Sequence, residues 1–349
     1  MNRQELKDFI EISKYAGQRF DLIQSGGGNS SVKNNDGTMY IKASGVYLSE
    51  VSEDSGYAIV KNKELIKIFE LSEIQNVRNK KEREALINDY MKNVNLTPNF
   101  RPSIETLLHS ILKKYTLHTH PLAVNAITCR QDWKDVLNKI FREINFVCVD
   151  YNTPGIDLAL ELLKQIKNKD VNIIFLQNHG LIITANNKAE IYEFTEFVVA
   201  KIEKYLNLDL SKYKLTTELS KILPDDFISY VSDDEFILKN INSQYINTLP
   251  FCPDKMVYCG ILPLLLQELS INKITEYKNK YYEYPKVILY KDNIFFVAKN
   301  TKKAKEIEEV FKFHIMTLIS SHTKEINYLS QEEIQYIGNW EAEKYRQKI

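Results

Sequence analysis

Helical and strand-like patterns alternate along the first two hundred residues, and this alternation restricts the fold more than any other feature. Short apolar stretches at 115–120, 146–149 and 171–177 are typical of strands, and a long helical pattern runs from Lys188 to about Leu206. Such alternation favours helices layered on a sheet over an all-helical or all-strand fold. We therefore predict an α/β protein.

The chain is long enough for two units. It has 349 residues with 44% apolar content, which predicts a substantial core and about two domains. We place the first unit at 1–208, a linker at 209–224, and a smaller α/β unit at 225–349, which contains a strand pair around 291–293. The last stretch, "NWEAEKYRQKI", is predicted to be helical.

Charge and apolar runs exclude several classes of partner. Basic and acidic residues both total 46, so no excess of positive charge indicates nucleic acid or an anionic membrane. The N-terminal segment has the pattern of an amphipathic helix and not of a signal peptide, and no apolar run is long enough to span a bilayer. The four cysteines are far apart, as in reduced proteins. We therefore expect a cytoplasmic protein with a small-molecule or protein partner.

Two glycine- and serine-containing segments, "QSGGGNSSV" and "KASGV", flank one short strand-like stretch. Glycine adopts positive φ at little cost and brings bare N–H groups close to a ligand, and neighbouring hydroxyls add donors, so a phosphate or sugar oxygen fits such turns. A flexible hairpin explains the same residues. From these residues alone both interpretations stay open.

Three histidines are candidate metal ligands. His118 and His120 stand two residues apart in "LHTHP", and side chains at i and i+2 of a strand point to the same face. His179, in "LQNHGLI", follows another apolar strand in a polar turn, where α/β folds commonly place ligand sites. Three imidazoles at neighbouring strand ends would hold a catalytic divalent metal and leave one position open for substrate.

A carboxylate and a further histidine lie on the helix predicted after Arg101-Pro102. Ser103 is its predicted N-cap. Its apolar stripe is predicted to consist of Ile104, Leu107, Leu108, Ile111 and Leu112. Glu105 lies off this stripe, where it could move a proton beside a metal-polarised carbonyl. His109 is interpreted as a hydrogen-bonded core residue.

The order of six motifs resembles that of the class II aldolase/adducin family. These motifs are "GGGNSSV", "YIKASGV", "RPSIETLLH", "LHTHP", "YNTPG" and "LQNHGLI", within roughly residues 5 to 207. Several segments are most similar to the aldolase portion of bifunctional rhamnulose-phosphate aldolase/dehydrogenases, including "CVDYNTPGIDLA", "PDKMVYCG" and "WEAEKYR". No glycine-rich dinucleotide motif follows, so we do not expect a dehydrogenase half.

The resemblance implies a three-layer αβα sandwich and a homo-oligomer, usually a tetramer with active sites at subunit interfaces. By their positions in the motifs, His118, His120 and His179 match the family's ligands for Zn²⁺, or another divalent metal. Glu105 matches its acid/base residue.

The resemblance also implies a phosphate site. Gly28 and Asn29 match its first turn, Ser44 and Gly45 its second, and Ser103 its third. The third turn commonly has two serines before the glutamate, but Ile104 stands in the second position here, so one hydroxyl is missing. Lys33 or Lys42 could compensate for it.

The predicted function is that of a zinc-dependent aldolase that cleaves or forms a carbon–carbon bond in a phosphorylated ketose through an enediolate. A sugar-phosphate epimerase or a dehydratase could use the same residues. A non-catalytic binding protein like adducin is the alternative from another class, and the presence of all three histidines and Glu105 argues against it.

Overall fold

In the computed structural model, residues 3–77, 79–322 and 325–339 are described. The chain divides into two compact units between Leu210 and Ser211. The segment expected as a linker contains a helix, Ser211–Ser220, whose Tyr213 and Leu219 are buried. Thr216 is buried between them, so the buried face of this helix is only partly apolar and gives a weak helical pattern in the sequence. The division into functional domains stays a prediction.

The first unit is built on a mixed sheet of seven strands. They are β1 (Asn29–Lys33), β2 (Thr38–Lys42), β3 (Tyr57–Lys61), β4 (Tyr115–Thr119), β5 (Phe146–Val149), β6 (Ile173–Leu176) and β7 (Gly180–Ala185). Their order in space is β3-β2-β1-β4-β7-β6-β5, and each pair of neighbours is antiparallel except β5 and β6. Strand β4 therefore lies at the centre, between β1 and β7.

Helices cover both faces of this sheet. They are α1 (Arg3–Gly17), α2 (Asn62–Leu65), α3 (Ser72–Gln75), α4 (Lys80–Val94), α5 (Thr106–Ser110), α6 (Leu122–Thr128), α7 (Trp133–Ile140), α8 (Ile156–Ile166) and α9 (Lys188–Leu206), with 3₁₀ turns at Leu48–Glu50 and Ile66–Glu70. In β7, Leu181 and Ile183 join a core with α1, α6, α7 and α9, whereas Ile182 joins a second core with α2, α5 and α8. This alternation along the strand produces three layers, which confirms the predicted αβα fold.

The charged segment before the candidate site forms a largely exposed helix. Val94 is buried in α4, and the charged residues around it face solvent or lie half-buried. This highly charged segment is therefore a regular helix with most of its surface in contact with solvent. Asn79 stabilises its start, because its side chain accepts hydrogen bonds from the backbone N–H groups of Lys81 and Glu82.

The second unit has a four-stranded sheet in the order β8-β11-β10-β9. Its strands are β8 (Ile228–Val231), β9 (Leu264–Leu266), β10 (Val287–Tyr290) and β11 (Asn293–Ala298), and its helices are α10 (Ser211–Ser220), α11 (Glu235–Lys239), α12 (Pro253–Cys259), α13 (Ile271–Tyr281), α14 (Thr301–Ser320) and α15 (Gln331–Asn339). The predicted strand pair is confirmed as the β10–β11 hairpin, in which Lys291 and Asp292 have positive φ. Residues 340–349 of the predicted C-terminal helix lie outside the described residues.

None of the helices in the described ranges combines the length and the apolar content needed to cross a lipid bilayer.

Candidate functional site

The central strands bring the three histidines together. His118 lies in β4, where it pairs with Asn29 of β1 on one side and with Ile182 of β7 on the other. His120 follows β4 directly, and His179 lies in the turn between β6 and β7. The Nε2 atom of His118 is 3.1 Å from that of His120 and 3.3 Å from that of His179.

A tight turn and a close backbone approach position His179. Asn178 has a φ of +53°, and the backbone N–H of His179 donates to the carbonyl of Leu176 at 3.3 Å. The next residue, Gly180, leaves no room for a side chain, because a Cβ there would lie 2.2 Å from the carbonyl oxygen of Thr119. The Asn-His-Gly sequence therefore permits β7 to begin directly against the end of β4.

The three imidazoles fit a divalent metal ion. When ligand nitrogens stand about 2.0–2.1 Å from a tetrahedral metal, they lie about 3.3–3.4 Å from one another, close to the distances between these Nε2 atoms. The Nδ1 atom of His118 is 3.0 Å from the carbonyl oxygen of Leu181. A carbonyl only accepts, so this Nδ1 carries a proton; Nε2 of the neutral ring can then bind a metal ion, whereas Nε2 of the protonated ring donates to Glu105. In their neutral forms, the three rings could each offer one nitrogen to the same ion.

The carboxylate of Glu105 lies beside this centre and is almost completely buried. Its Oε1 atom is 3.1 Å from His179 Nε2 and 3.4 Å from His118 Nε2. Its Oε2 atom accepts a hydrogen bond from the side-chain amide of Asn29. Glu105 is therefore held between strand β1 and the histidines, close enough to contact a ligand of the same metal.

The start of helix α5 differs from the prediction. The helix begins at Thr106, and Ser103 is not its N-cap; the hydroxyl of Ser103 instead accepts from the backbone N–H of Glu105 at 3.3 Å. The predicted apolar stripe is wrong for Ile104, which is 59% exposed because it precedes the helix. Helical periodicity could not reveal this, since the three residues before α5 are not helical.

Burial and charge give the site groups different protonation states. Burial raises the pKa of Glu105, but the positive charge of His118 and the hydrogen bonds from His118 and His179 outweigh burial, so the pKa lies well below its usual range. Burial, with the charges of His118 and His179, lowers the pKa of His120 to about 3. An ionised carboxylate next to a neutral imidazole suits both proton transfer and metal binding.

The segments predicted to bind phosphate are joined by hydrogen bonds to backbone carbonyls. The backbone N–H of Ser44 donates to the carbonyl of Arg101 at 2.8 Å, which links the second turn to the third, where Ser103 lies. The ammonium of Lys42 donates to the carbonyls of Gly26 at 2.9 Å and Val46 at 2.7 Å, which links the first turn to the second. The three turns therefore form one cluster.

Gly28 and Gly45, in the first two turns, both have positive φ but differ in the space around them. Gly28 has a φ of +65°, and a Cβ on it would lie 2.7 Å from the carbonyl oxygen of His118, so this turn touches the strand of the metal ligands. Gly45 has a φ of +80°, with open space where its Cβ would be. The second turn is therefore strained for other residues, yet open on the side of the missing Cβ.

Three predicted residues have contacts that the sequence did not indicate. Asn29, predicted for phosphate, binds the carboxylate of Glu105. The ammonium of Lys33 donates to the carbonyls of Ser110, at 2.8 Å, and Leu112, at the end of α5. Both this ammonium and that of Lys42 hold backbone carbonyls, and burial lowers the pKa of each to about 8. A direct contact of either lysine with phosphate stays a prediction.

Two further histidines are buried outside the candidate metal site, and His109 is a hydrogen-bonded core residue as predicted. His109 is completely buried, and its Nδ1 is 2.7 Å from the hydroxyl of Ser31. His314 of the second unit is also buried, stacks on Phe251 and contacts the hydroxyl of Thr248 at 2.9 Å. Within the described residues, the histidine, cysteine and acidic side chains form one group of metal-ligand geometry, namely His118, His120 and His179.

A family profile described as "Class II Aldolase and Adducin N-terminal domain" matches residues 7–206, more than half of the chain. The chain belongs to the class II aldolase and adducin family. This family region coincides with the seven-stranded sheet and contains every candidate site residue, whereas the second unit lies outside the match.

Two individual proteins show the range of the similarity. The Bacillus subtilis protein named "Uncharacterized oxidoreductase YuxG" is 24% identical over 302 residues, which cover 75% of this chain and 42% of that protein. The chain thus spans less than half the length of that curated relative. The N-terminal class II aldolase domain of a conserved Thermoplasma acidophilum protein is 26% identical, with a TM-score of 0.50, and the alignment covers 59% of this chain and 95% of that domain.

Proposed function

We propose that this protein is a metal-dependent class II aldolase that cleaves or forms a carbon–carbon bond in a phosphorylated ketose through an enediolate. The observation that carries the proposal is the convergence of three imidazole Nε2 atoms with one buried carboxylate at the centre of a class II aldolase-like sheet. Family membership alone does not separate an enzyme from a binding protein like adducin. A buried carboxylate next to three histidines has a clear use in proton transfer at a metal.

The protein side chains divide the chemistry among them. His118, His120 and His179 would hold the metal, with Zn²⁺ the first choice for three imidazoles. When bound, the ion would supply Lewis-acid stabilisation of the negative charge on the ketose oxygens. Glu105 would remove the proton from the carbon next to the carbonyl, or return it. Asn29 would keep this carboxylate in one orientation through the hydrogen bond to Oε2.

The cluster of three turns would bind the phosphate. We assign the contacts to Gly28 and Asn29, to Ser44 and Gly45, and to Ser103, with Lys42 joining the first two turns. Backbone N–H groups at glycine turns and nearby hydroxyls are good donors for phosphate oxygens. Positive charge on Lys42, and more remotely on Lys33, would favour a dianion at this place.

Deuterium exchange tests the proposal directly. Native protein loaded with Zn²⁺ should exchange a proton at the hydroxymethyl carbon of dihydroxyacetone phosphate in heavy water, as followed by NMR. Chelator treatment should abolish the exchange, and Glu105→Gln should slow it by about 10²–10⁴-fold while the metal content stays unchanged. Glu203→Gln, which alters a buried carboxylate on α9, is the matched control and should exchange like the native protein.

Each other outcome contradicts part of the proposal. Metal-loaded native protein without exchange would contradict the aldolase and direct attention to an epimerase or a dehydratase, which can be told apart by whether a free aldehyde is released. Native protein that takes up no metal would contradict all metal-dependent functions and favour a binding role. The similarity to rhamnulose-phosphate aldolases in particular, the homo-oligomer and the cytoplasmic location stay predictions.

A further inference from the structure

A buried ion pair follows helix α1 and contacts neither the metal centre nor the phosphate turns. Arg19 and Asp21 are both completely buried. The Nε atom of Arg19 donates to Asp21 Oδ1 at 3.0 Å and Nη2 donates to Oδ2 at 2.5 Å. The remaining Nη1 contacts Glu196 on α9, which also accepts from the hydroxyl of Tyr15.

Stability alone is a weak explanation for such a pair. Taking two charges out of water costs several kcal/mol for each ion, and apolar side chains of similar volume often stabilise a core equally well. The bidentate geometry does, however, hold the backbone between Arg19 and Asp21 in one conformation. The role of the pair therefore depends on what this backbone contacts.

The loop held by this pair binds the end of strand β4. The carbonyl of Arg19 accepts from the backbone N–H groups of Leu22, at 3.1 Å, and Ile23, at 3.0 Å, which closes the loop. The carbonyl of Leu22 then accepts from the backbone N–H of His120 at 3.0 Å, and that of Asp21 accepts from Leu122 at 2.9 Å. The backbone on both sides of Pro121 is thus attached to the loop that Arg19 organises.

His120 depends on this attachment more than its neighbour does. His118 lies inside β4, and its Nδ1 contacts the carbonyl of Leu181, which fixes the ring directly. Across the parts of the chain that the structure describes, no residue makes a hydrogen bond to Nδ1 of His120. Its ring instead lies between two glycines, since a Cβ at Gly27 would be 3.0 Å from Nδ1 and a Cβ at Gly180 would be 3.0 Å from Cδ2. The backbone therefore determines where the ring of His120 lies.

We propose that the Arg19–Asp21 pair positions the metal ligand His120 through the backbone of the loop from Arg19 to Ile23. The inference depends on the proposed metal site. Arg19 and Asp21 are positioning residues: they touch neither metal nor substrate, and their effect on the ion passes through the hydrogen bond from His120 N–H to Leu22 O.

Co²⁺ binding to the full chain tests this role. Arg19→Lys keeps the charge but loses the fork of donors, and Asp21→Asn keeps the shape but loses the charge. Both variants should bind Co²⁺ about 10–100-fold more weakly than the native protein, the usual effect of losing a residue that orients a ligand. Because His120 is displaced, the visible d–d bands of the bound Co²⁺ should also change in position and intensity.

The matched control is Lys188→Met. Lys188 on α9 pairs with Asp8 on α1 at 2.8 Å, so this variant also breaks a partly buried ion pair between the N-terminal region and α9. It does not contact the loop that binds His120. It should therefore keep the native Co²⁺ affinity and spectrum, even where its stability in urea is reduced as much as that of the Arg19 and Asp21 variants.

The outcomes separate the two proposals. If the native protein does not bind Co²⁺, the proposed metal site itself fails. If the native protein binds Co²⁺ and folded Arg19→Lys and Asp21→Asn bind it with the native affinity and spectrum, the positioning role is overturned. It is also overturned if Lys188→Met weakens binding and alters the spectrum to the same extent, because the effect would then come from the packing of α1 on α9. Asp21→Asn provides the test if Arg19→Lys does not fold.

Discussion

Two charged side chains are almost completely buried but have very different partners: Glu105 in the first unit and Lys255 in the second. The ammonium of Lys255 donates to the carbonyls of Gly260, at 2.8 Å, and Ile261, at 2.6 Å, which are its own neighbours at the end of α12. Glu105 contacts Asn29, His118 and His179, which belong to three distant segments. A buried charge with local backbone partners stabilises a turn, whereas one that joins distant strands points to a site for chemistry.

Removing one imidazole should have the largest effect on metal content and proton exchange. His118→Ala leaves two of the three ligands, so we expect the metal content after dialysis to fall from about one ion per chain to near zero. Catalysed proton exchange should fall by more than about 100-fold, since even loss of an outer-shell partner costs 10–100-fold. Metal analysis and NMR measure both. A His118→Ala protein that retains its ion would remove the distinction between the two regions.

Placing a side chain between the end of β4 and the start of β7 should have the next largest effect on metal binding. In Gly180→Ala, the new Cβ would meet the carbonyl oxygen of Thr119 at 2.2 Å, so the end of β4 or the start of β7 must shift. We expect metal affinity to fall by about 10-fold or more, an effect similar to that of losing an orienting residue.

Gly45→Ala is the control for this change. It strains a backbone with φ of +80° at a cost of about 1–2 kcal/mol, but its Cβ meets no atom within 4 Å. Calorimetric titration with Zn²⁺ should give the native affinity for this control. Equal losses in the two variants would contradict the specific role of the contact between β4 and β7.

Breaking the local contact in the second unit should affect stability alone. Lys255→Met leaves the carbonyls of Gly260 and Ile261 without their charged donor, so we expect the free energy of unfolding to fall by about 1–3 kcal/mol. Urea unfolding followed by circular dichroism measures the loss. Metal content and proton exchange at low urea should match the native protein, and a reduced metal content in the folded variant would show that Lys255 is more than a structural residue.

The last prediction concerns acid and the core histidine of the first unit. Burial, with the charge of His118, lowers the pKa of His109 to about 3, while an unfolded histidine titrates near 6.5. The unfolded chain thus binds more protons between these values. The stabilising contribution is complete above pH 6.5 and is lost as the pH falls towards 3, at up to about 1.4 kcal/mol per pH unit.

His109→Gln isolates this contribution. Glutamine keeps a polar group opposite Ser31 but does not titrate, so stability of the metal-free variant should depend less steeply on pH between 6.5 and 3. Urea midpoints at several pH values measure the slope. An unchanged slope would mean that His109 is already accessible to protons in the folded protein.

The sequence was sufficient where local patterns determine structure. The strand around His118, the polar turn at His179 and the helix from Lys188 follow from apolar periodicity and turn residues, and the motif order indicates the αβα fold. The second unit was predicted only coarsely, and the helix at Ser211–Ser220 was missed because one of its three buried side chains, Thr216, is polar and interrupts the apolar pattern.

Contacts between distant strands could not be predicted in the same way. The hydrogen bond between Asn29 and Glu105 depends on the register of β1 against β4, which no local pattern specifies. The carbonyl partners of Lys33 and Lys42 depend on where helix α5 and the glycine turns end. Arg19 gave no signal, because an arginine followed by an aspartate two residues later is common at a protein surface.

The order of the strands also determines how the site can form during folding. Asn29 and His179 join the same site only after β1, β4 and β7 have paired, and these strands come from widely separated parts of the chain. Such non-local pairing is slow, because the entropy of loop closure is lost before the contacts between strands form and offset it. An ion that needs all three histidines would bind the native state and not the unfolded chain, and would stabilise it in proportion to its affinity. Metal uptake would then be a late event in folding, and its rate would report the pairing of the central strands.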